Sequence, residues 1–231
     1  MMMDQSKSRR SPGEPISRLT ARPTPRKLSD VAYDALSLAI RERKLKSSEA
    51  IVEQYLAESL GLSRTPLRQA LQRLELEGLL IKSGGRSFQV RQVSMGEYLQ
   101  SLKVREILEP EAAMLAVDRL DPAGIAGARA ALRTLDGQRP YDIIAHWKAD
   151  ATVHDLFIDN CGNQVMAQSL RALRVTTQLF EIDRLTDRLD PDSDEHDLIL
   201  DAFEARDRKG AGRAVTRHIR SLIRFAIATV S

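Results

Sequence analysis

Cysteine is almost missing from this chain. The single Cys161 excludes an intramolecular disulfide and points to a reducing, cytoplasmic setting. Long hydrophobic runs are absent too. No segment is long enough to span a bilayer, and the N-terminus lacks the apolar stretch of a signal peptide, so a cytoplasmic protein with no membrane partner is expected. There is no internal repeat, no phosphate-cradling glycine loop and no Gly-x-Ser-x-Gly elbow, and the lone cysteine has no partner motif. These gaps remove the usual sequence signs of nucleotide binding and nucleophilic hydrolysis. Histidine is scarce, with four copies in 231 residues. What remains is an ordinary soluble composition, 42% hydrophobic, long enough for two domains.

The net charge of +3 hides an asymmetry. Residues 1–26 hold six Lys/Arg against two acids, and residues 27–93 hold eleven against eight. Residues 94–231 hold eighteen against twenty-two. A basic front and an acidic rear is the polarity of a chain whose first part faces a polyanion. Residues 1–26, rich in Ser, Pro and Arg and without periodicity, are expected to form a disordered basic tail.

Between Val52 and Arg91 the pattern becomes specific. Val52, Leu56, Ala57 and Leu60 mark one apolar helical face, and Gly61 is placed to end that helix in the left-handed region. Ser63 is an N-cap candidate, and Pro66 falls in the first turn of the next helix, where its missing N–H costs nothing. Leu67, Ala70, Leu71 and Leu74 give that helix a buried face. Its opposite face carries Arg64, Thr65, Arg68, Gln69 and Gln72, all able to bond base edges or phosphates. Gly78 follows the helix. Leu80-Ile81-Lys82 and Phe88-Gln89-Val90 then flank Ser83-Gly84-Gly85-Arg86, a hairpin with a basic tip. Helix, turn, helix and wing is an arrangement that lays one helix in the major groove, although any amphipathic helix pair with a glycine turn shares part of the pattern.

Beyond Val93 strand signals stop. Long helical patterns break near Asp121-Pro122, Gln138-Arg139-Pro140, Gly162-Asn163, Asp190-Pro191 and Gly210, giving about six helices in an all-α bundle. The histidines carry its chemistry. Ile143, His146, Trp147, Asp150, His154 and Phe157 share one face at spacings of three and four. A carboxylate in such a stripe must be neutralised, open to a cavity or bound to a cation, because a buried unpaired charge is costly. His196 heads a face with Ile199, Leu200 and Phe203, and His218 lies among Val215, Leu222, Ile223 and Ala226. Three histidines and Asp150 thus point inward from three helices, a set that suits Zn²⁺, Ni²⁺ or Mn²⁺. Singly, each histidine reads equally as a hydrogen-bonded core residue.

Two resemblances follow from these motifs. Residues 27–93 resemble the winged-helix domain of GntR-type bacterial transcription regulators, with Ser63-Arg64-Thr65-Pro66-Leu67-Arg68 as the matching motif. The resemblance implies that Arg64 and Arg68 contact DNA, that Thr65 binds phosphate and that Gly85 approaches the minor groove, with Ser63 and Arg86 beside them. Two positions depart from the family pattern. Lys46-Ser47-Ser48-Glu49 replaces a Pro-Gly turn, and Ser87 stands where a glycine is common.

Residues 94–231 resemble the FCD effector domain of the FadR subfamily, through Val104-Arg105-Glu106-x-x-Glu109, Asp150-x-x-x-His154, Gly162-Asn163, Glu195-His196 and Arg217-His218. This implies a divalent metal on Asp150, His154, His196 and His218, completed by a small carboxylate effector. Arg105 is either a carboxylate partner for that effector or the i,i+4 partner of Glu109. His146 does not belong to the family's ligand set.

The expected protein is mainly α, with an N-terminal winged helix-turn-helix and a C-terminal FCD-like helical bundle. It is expected to be a ligand-responsive, homodimeric regulator of a pseudo-palindromic DNA operator, and not an enzyme. Two other readings stay open: a metal-dependent enzyme fused to a DNA-binding module, and a helical domain used only for dimerisation.

Overall fold

The computed structural model describes residues 27–84, 87–135, 142–184 and 189–230. The basic tail expected over residues 1–26 lies outside these, as do Gly85 and Arg86 of the wing and the break expected at Gln138-Arg139-Pro140.

Helix α1 (Leu28–Arg41) buries Ala32, Leu36 and Ile40, one residue every turn. After it come β1 (Ala50–Ile51), α2 (Glu53–Leu60), α3 (Arg64–Leu76), β2 (Leu80–Lys82) and β3 (Phe88–Val90). The three strands form an antiparallel sheet in the order β1-β3-β2, with Ala50 opposite Gln89 and Leu80 opposite Val90. The expected ribbon therefore gains a third strand, too short at two residues to show an alternating pattern.

Gly61 ends α2 at φ 63°, the left-handed cap that glycine adopts without a Cβ clash. Ser63 holds the N-cap position of α3 in extended backbone, but its side chain makes no capping bond. Leu67, Ala70, Leu71 and Leu74 are buried, and α3 packs on α1. Helix α2 is less buried than its pattern suggests. Only Ala57 is buried and Val52 is exposed, while Leu56 and Leu60 pack on the core from its edge. The Lys46–Glu49 segment turns without Pro-Gly. Glu49 N donates to Lys46 O at 2.9 Å, Lys46 N donates to Glu49 Oε2 at 2.8 Å, and Ser48 takes φ 62°.

The helical part is built on α4 (Met95–Ala116), capped by Ser94 Oγ accepting from Glu97 N at 3.2 Å. Its buried stripe contains Tyr98, Leu102, Ala112, Ala113 and Ala116, and also the charged Arg105 and Glu109. A single 3-10 turn (Val117–Arg119) leads to α5 (Pro122–Arg133), α6 (Ile143–Asn160), α7 (Gln164–Arg184), α8 (Leu189–Glu204) and α9 (Arg208–Val230). Helix α4 is the hub, packing against α6, α7 and α9. Gly212 of α9 permits a close crossing, since a Cβ there would lie 3.1 Å from the Met114 side chain.

The expected breaks at Asp121-Pro122 and Gly162-Asn163 are found. Asp121 accepts from Ala123 N at 3.1 Å, and Gly162 has φ 74°. Two others move. Asp190-Pro191 lies inside the start of α8, because proline in a first turn removes no helical hydrogen bond. Gly210 lies in the first turn of α9. The chain turns instead at Ala205–Asp207, where Arg206 has φ 54° and Asp207 Oδ1 accepts from Gly210 N at 2.8 Å.

Candidate metal centre and nucleic-acid interface

The first turns of α3 expose polar and basic side chains. Ser63, Arg64, Thr65, Gln69 and Gln72 are all exposed, and no acid stands in its first turn. Arg68 is half-exposed, with Nε 3.2 Å from Glu53 Oε2. That contact is weak enough at a surface to yield to a phosphate or base. At the wing, Ser83 N donates to Ser87 O at 2.9 Å, so Ser87 is accommodated within the hairpin. Arg91, at the base of the wing, pairs with Glu97 and donates to Thr176 Oγ1 at 3.1 Å, tying the winged part to α7.

In the helical part α6, α8 and α9 bring together the four residues expected to meet. One ligand-type atom from each of Asp150, His154, His196 and His218 lies within 4.8 Å of the others. Helix α6 supplies Asp150 and His154 one turn apart, α8 supplies His196 and α9 supplies His218. His154 Nε2 and His196 Nε2 face each other at 3.3 Å. Asp150 Oδ1 is 3.5 Å from the first and 3.6 Å from the second.

These three distances test whether the set fits a metal. Ligands held ~2.1 Å from a tetrahedral ion such as zinc stand ~3.4 Å from one another. The observed edges match that spacing. His218 Nε2 is buried with no hydrogen-bond partner among the described residues, a donor atom left for such an ion. The residues fit.

Asp150 answers the sequence argument about its buried charge. Arg174 Nη2 of α7 bonds Asp150 Oδ2 at 2.7 Å, leaving Oδ1 toward the histidines. Burial alone would push the Asp150 carboxyl up, but Arg174, with His154 and His196, holds it well below the ordinary carboxylate range. Burial and then Arg174 push His154 down to about 4. Burial and His218 push His196 down in the same way. Both rings are therefore neutral near pH 7, the form that offers a lone pair to a metal.

Two family models match the chain: the FCD domain over residues 100–221 and the gntR family of bacterial regulatory proteins over residues 28–90. The chain belongs to the FCD-domain family. It is a GntR-type, DNA-binding transcription regulator, and the proteins it matches are regulators rather than enzymes. One is the regulator YdhC of Bacillus subtilis (strain 168), 26% identical over 204 residues, which cover 85% of this chain and 89% of that protein. Another, from Escherichia coli (strain K12) and named for an L-lactate dehydrogenase operon, is 27% identical over 224 residues and 84% of each chain. Among solved structures, E. coli McbR/YncC has the same fold with a TM-score of 0.74 at 21% identity, over 89% of this chain and 99% of that one. No helix of the described residues is long and apolar enough to cross a membrane.

The FCD domain also places residues that sequence reading assigned differently or missed. Arg105 Nε donates to Glu109 Oε1 at 2.6 Å and Nη1 to Thr177 Oγ1 at 2.8 Å, so the intrahelical pair is formed together with a bond to α7. Glu109, fully buried, is held strongly ionised by Arg105 and His154 against the opposing effect of burial. His146 pairs with Asp192, Nε2 to Oδ2 at 3.2 Å, outside the four-residue cluster. Arg174 and Glu181 had no distinguishing sequence signal, since each is one charged residue in the mixed face of α7.

Glu181 accepts from Tyr98 Oη at 2.8 Å. Burial raises its carboxyl to about 7, with Asp150 and Asp192 adding to the rise and Arg105 and the Tyr98 hydroxyl opposing it. A carboxyl raised on folding holds its proton more tightly in the native state. Its contribution to stability is complete below the unfolded value and is lost as pH rises through about 7. Glu181→Gln fixes the neutral form. Its stability relative to wild type should rise by about 1–2 kcal/mol from pH 5.5 to 8, discounted for partial exposure. Parallel curves from denaturation across that pH range would contradict the assignment.

Proposed function

We propose that this FCD regulator is a homodimer that reads a pseudo-palindromic operator through paired α3 helices and senses a small carboxylate through a divalent metal. Its working units are a DNA-binding domain over residues 27–93 and an effector-binding and dimerisation domain over residues 94–231, acting in the cytoplasm. The observation that carries the sensing half is the spacing of Asp150, His154 and His196, with edges of 3.3–3.6 Å. Asp150, His154, His196 and His218 hold the ion, and this donor set suits zinc, nickel or manganese; when bound, it supplies a Lewis-acidic position for the effector's carboxylate. Arg105 is the second anchor, sharing with that carboxylate the guanidinium now held by Glu109 and Thr177. The name of the E. coli relative, tied to an L-lactate dehydrogenase operon, supports a carboxylate effector.

Arg174 provides the route from this site to the DNA. It bonds Asp150 on one side and on the other lines a cleft of about 510 Å³ shared by Tyr33, Arg41 and Leu76 of the winged part with Arg171 and Val175 of α7. An effector that binds with different affinity in two placements of the winged part shifts the population between them. Contacts to DNA come from Arg64, Arg68 and Thr65 on α3, with Ser63 at its start and Gly85 and Arg86 at the wing tip.

Two experiments test the two halves. Arg68→Ala should weaken specific operator binding by about 1–3 kcal/mol, the range for a base-reading arginine, with an unchanged circular-dichroism melt. Equal operator affinity at physiological salt removes Arg68 from the readout. For the sensing half, His196→Ala combined with His218→Ala should abolish stoichiometric metal in the purified protein by elemental analysis. Metal content equal to wild type overturns the site.

A further inference from the structure

The four proposed ligands do not set their own orientation. Two carboxylates outside the ligand set stand behind two of the rings. Glu195 Oε2 lies 3.0 Å from His218 Nδ1 in a hydrogen-bonding geometry. Glu109 Oε2 lies 3.0 Å from His154 Nδ1. That second contact is close but off the hydrogen-bond line, so neither atom counts a formed bond. The distance is the more telling quantity, because a carboxylate oxygen this near a ring nitrogen, even off the line, favours a proton there over a lone pair. Glu109 is also fixed from its other side by Arg105, and both it and His154 are fully enclosed.

We propose that Glu109 and Glu195 are positioning residues that hold His154 and His218 as Nδ1–H tautomers, turning both Nε2 lone pairs toward the centre. The inference rests on the metal reading above and deepens it. In a neutral imidazole one nitrogen carries the proton and the other accepts, and the hydrogen bond at one nitrogen decides the state of the other. His154 Nε2 is then an acceptor. It faces His196 Nε2 at 3.3 Å, so in the metal-free protein His196 is the Nε2–H tautomer and donates to His154. His196 is the ring that must relocate or release its proton when a metal binds, while His154 and His218 arrive prepared.

One other arrangement of the same atoms competes. Asp192, Glu195 and His218 also bring ligand-type atoms within 4.8 Å, the pattern of a second cation site in which Glu195 is a ligand. The hydrogen-bonding geometry of Glu195 on Nδ1 and the engagement of Asp192 by His146 favour the positioning role.

The test uses the full chain stripped by chelator and zinc as the probe. Competition titration should show one equivalent bound by wild type. Glu195→Gln and Glu109→Gln, nearly isosteric, should each weaken binding by about 10–100-fold at unchanged stoichiometry. Glu195→Ala, which removes the acceptor altogether, should lose more than Glu195→Gln. Nitrogen-15 NMR of the histidines in the metal-free protein should find Nδ1–H on His154 and His218 and Nε2–H on His196, with His218 losing its Nδ1–H preference in Glu195→Ala. That readout does not need metal and does not follow from a merely structural role. Wild-type affinity in both Gln variants, or Nε2–H on His218 in wild type, overturns the proposal. Two zinc equivalents in wild type, one of them lost in Glu195→Gln, also overturn it and make Glu195 a ligand. A wild type that takes up no zinc but shows the stated tautomers sinks the metal reading and leaves the placement of the protons standing.

Discussion

Two carboxylates sit at the centre of the helical part, and each is matched by one arginine. Asp150 is held by Arg174 across α6 and α7, and Glu109 by Arg105 along α4. Leaving one member of such a buried pair alone costs roughly 3–5 kcal/mol, so α6 and α7, joined by the first pair, and α4, joined to α7 through Arg105 and Thr177, do not shift independently. The histidines are placed by the same pairs. Glu109 faces His154 with the oxygen that Arg105 does not take, and Asp150 faces His154 and His196 with the oxygen that Arg174 does not take. Charge neutralisation in the core thereby becomes geometry at a metal-sized centre.

The same arrangement links the two parts of the molecule. Arg174 reaches from Asp150 to the cleft beside α1 and α3, and Arg91 fastens the base of the wing to α7. Helix α7 therefore touches both the buried cluster and the DNA-binding unit. Through Arg174, Asp150 has a short path to the end of α3.

Much of this was legible in the chain because local rules carried it. Gly61, Asp121 and Gly162 end or start helices for reasons of backbone conformation and capping that need no tertiary knowledge. The alternation of Leu67, Ala70, Leu71 and Leu74 with Arg64, Thr65 and Gln69 likewise separates a buried face from an exposed one. The inward histidines were visible from helical spacing alone. What stayed hidden depended on contacts between helices. Nothing in Arg171-Ala172-Leu173-Arg174 distinguishes the arginine that neutralises Asp150 from its neighbour, which pairs with Asp159 at the surface. Arg105 has an i,i+4 partner in Glu109 that the sequence offers, but its bond to Thr177 exists only because α4 packs against α7. Pro191 and Gly210 misled because residues that interrupt a helix interior are tolerated in a first turn.

The central claim is that Asp150, His154, His196 and His218 form one coordination sphere. X-ray absorption at the zinc edge of the zinc-loaded full chain addresses it most directly. Three imidazole nitrogens and at least one oxygen at ~2.0–2.2 Å are expected, with the imidazole scattering reduced when His218 is replaced by alanine. An all-oxygen shell, or a spectrum that the His218 replacement leaves unchanged, would contradict it.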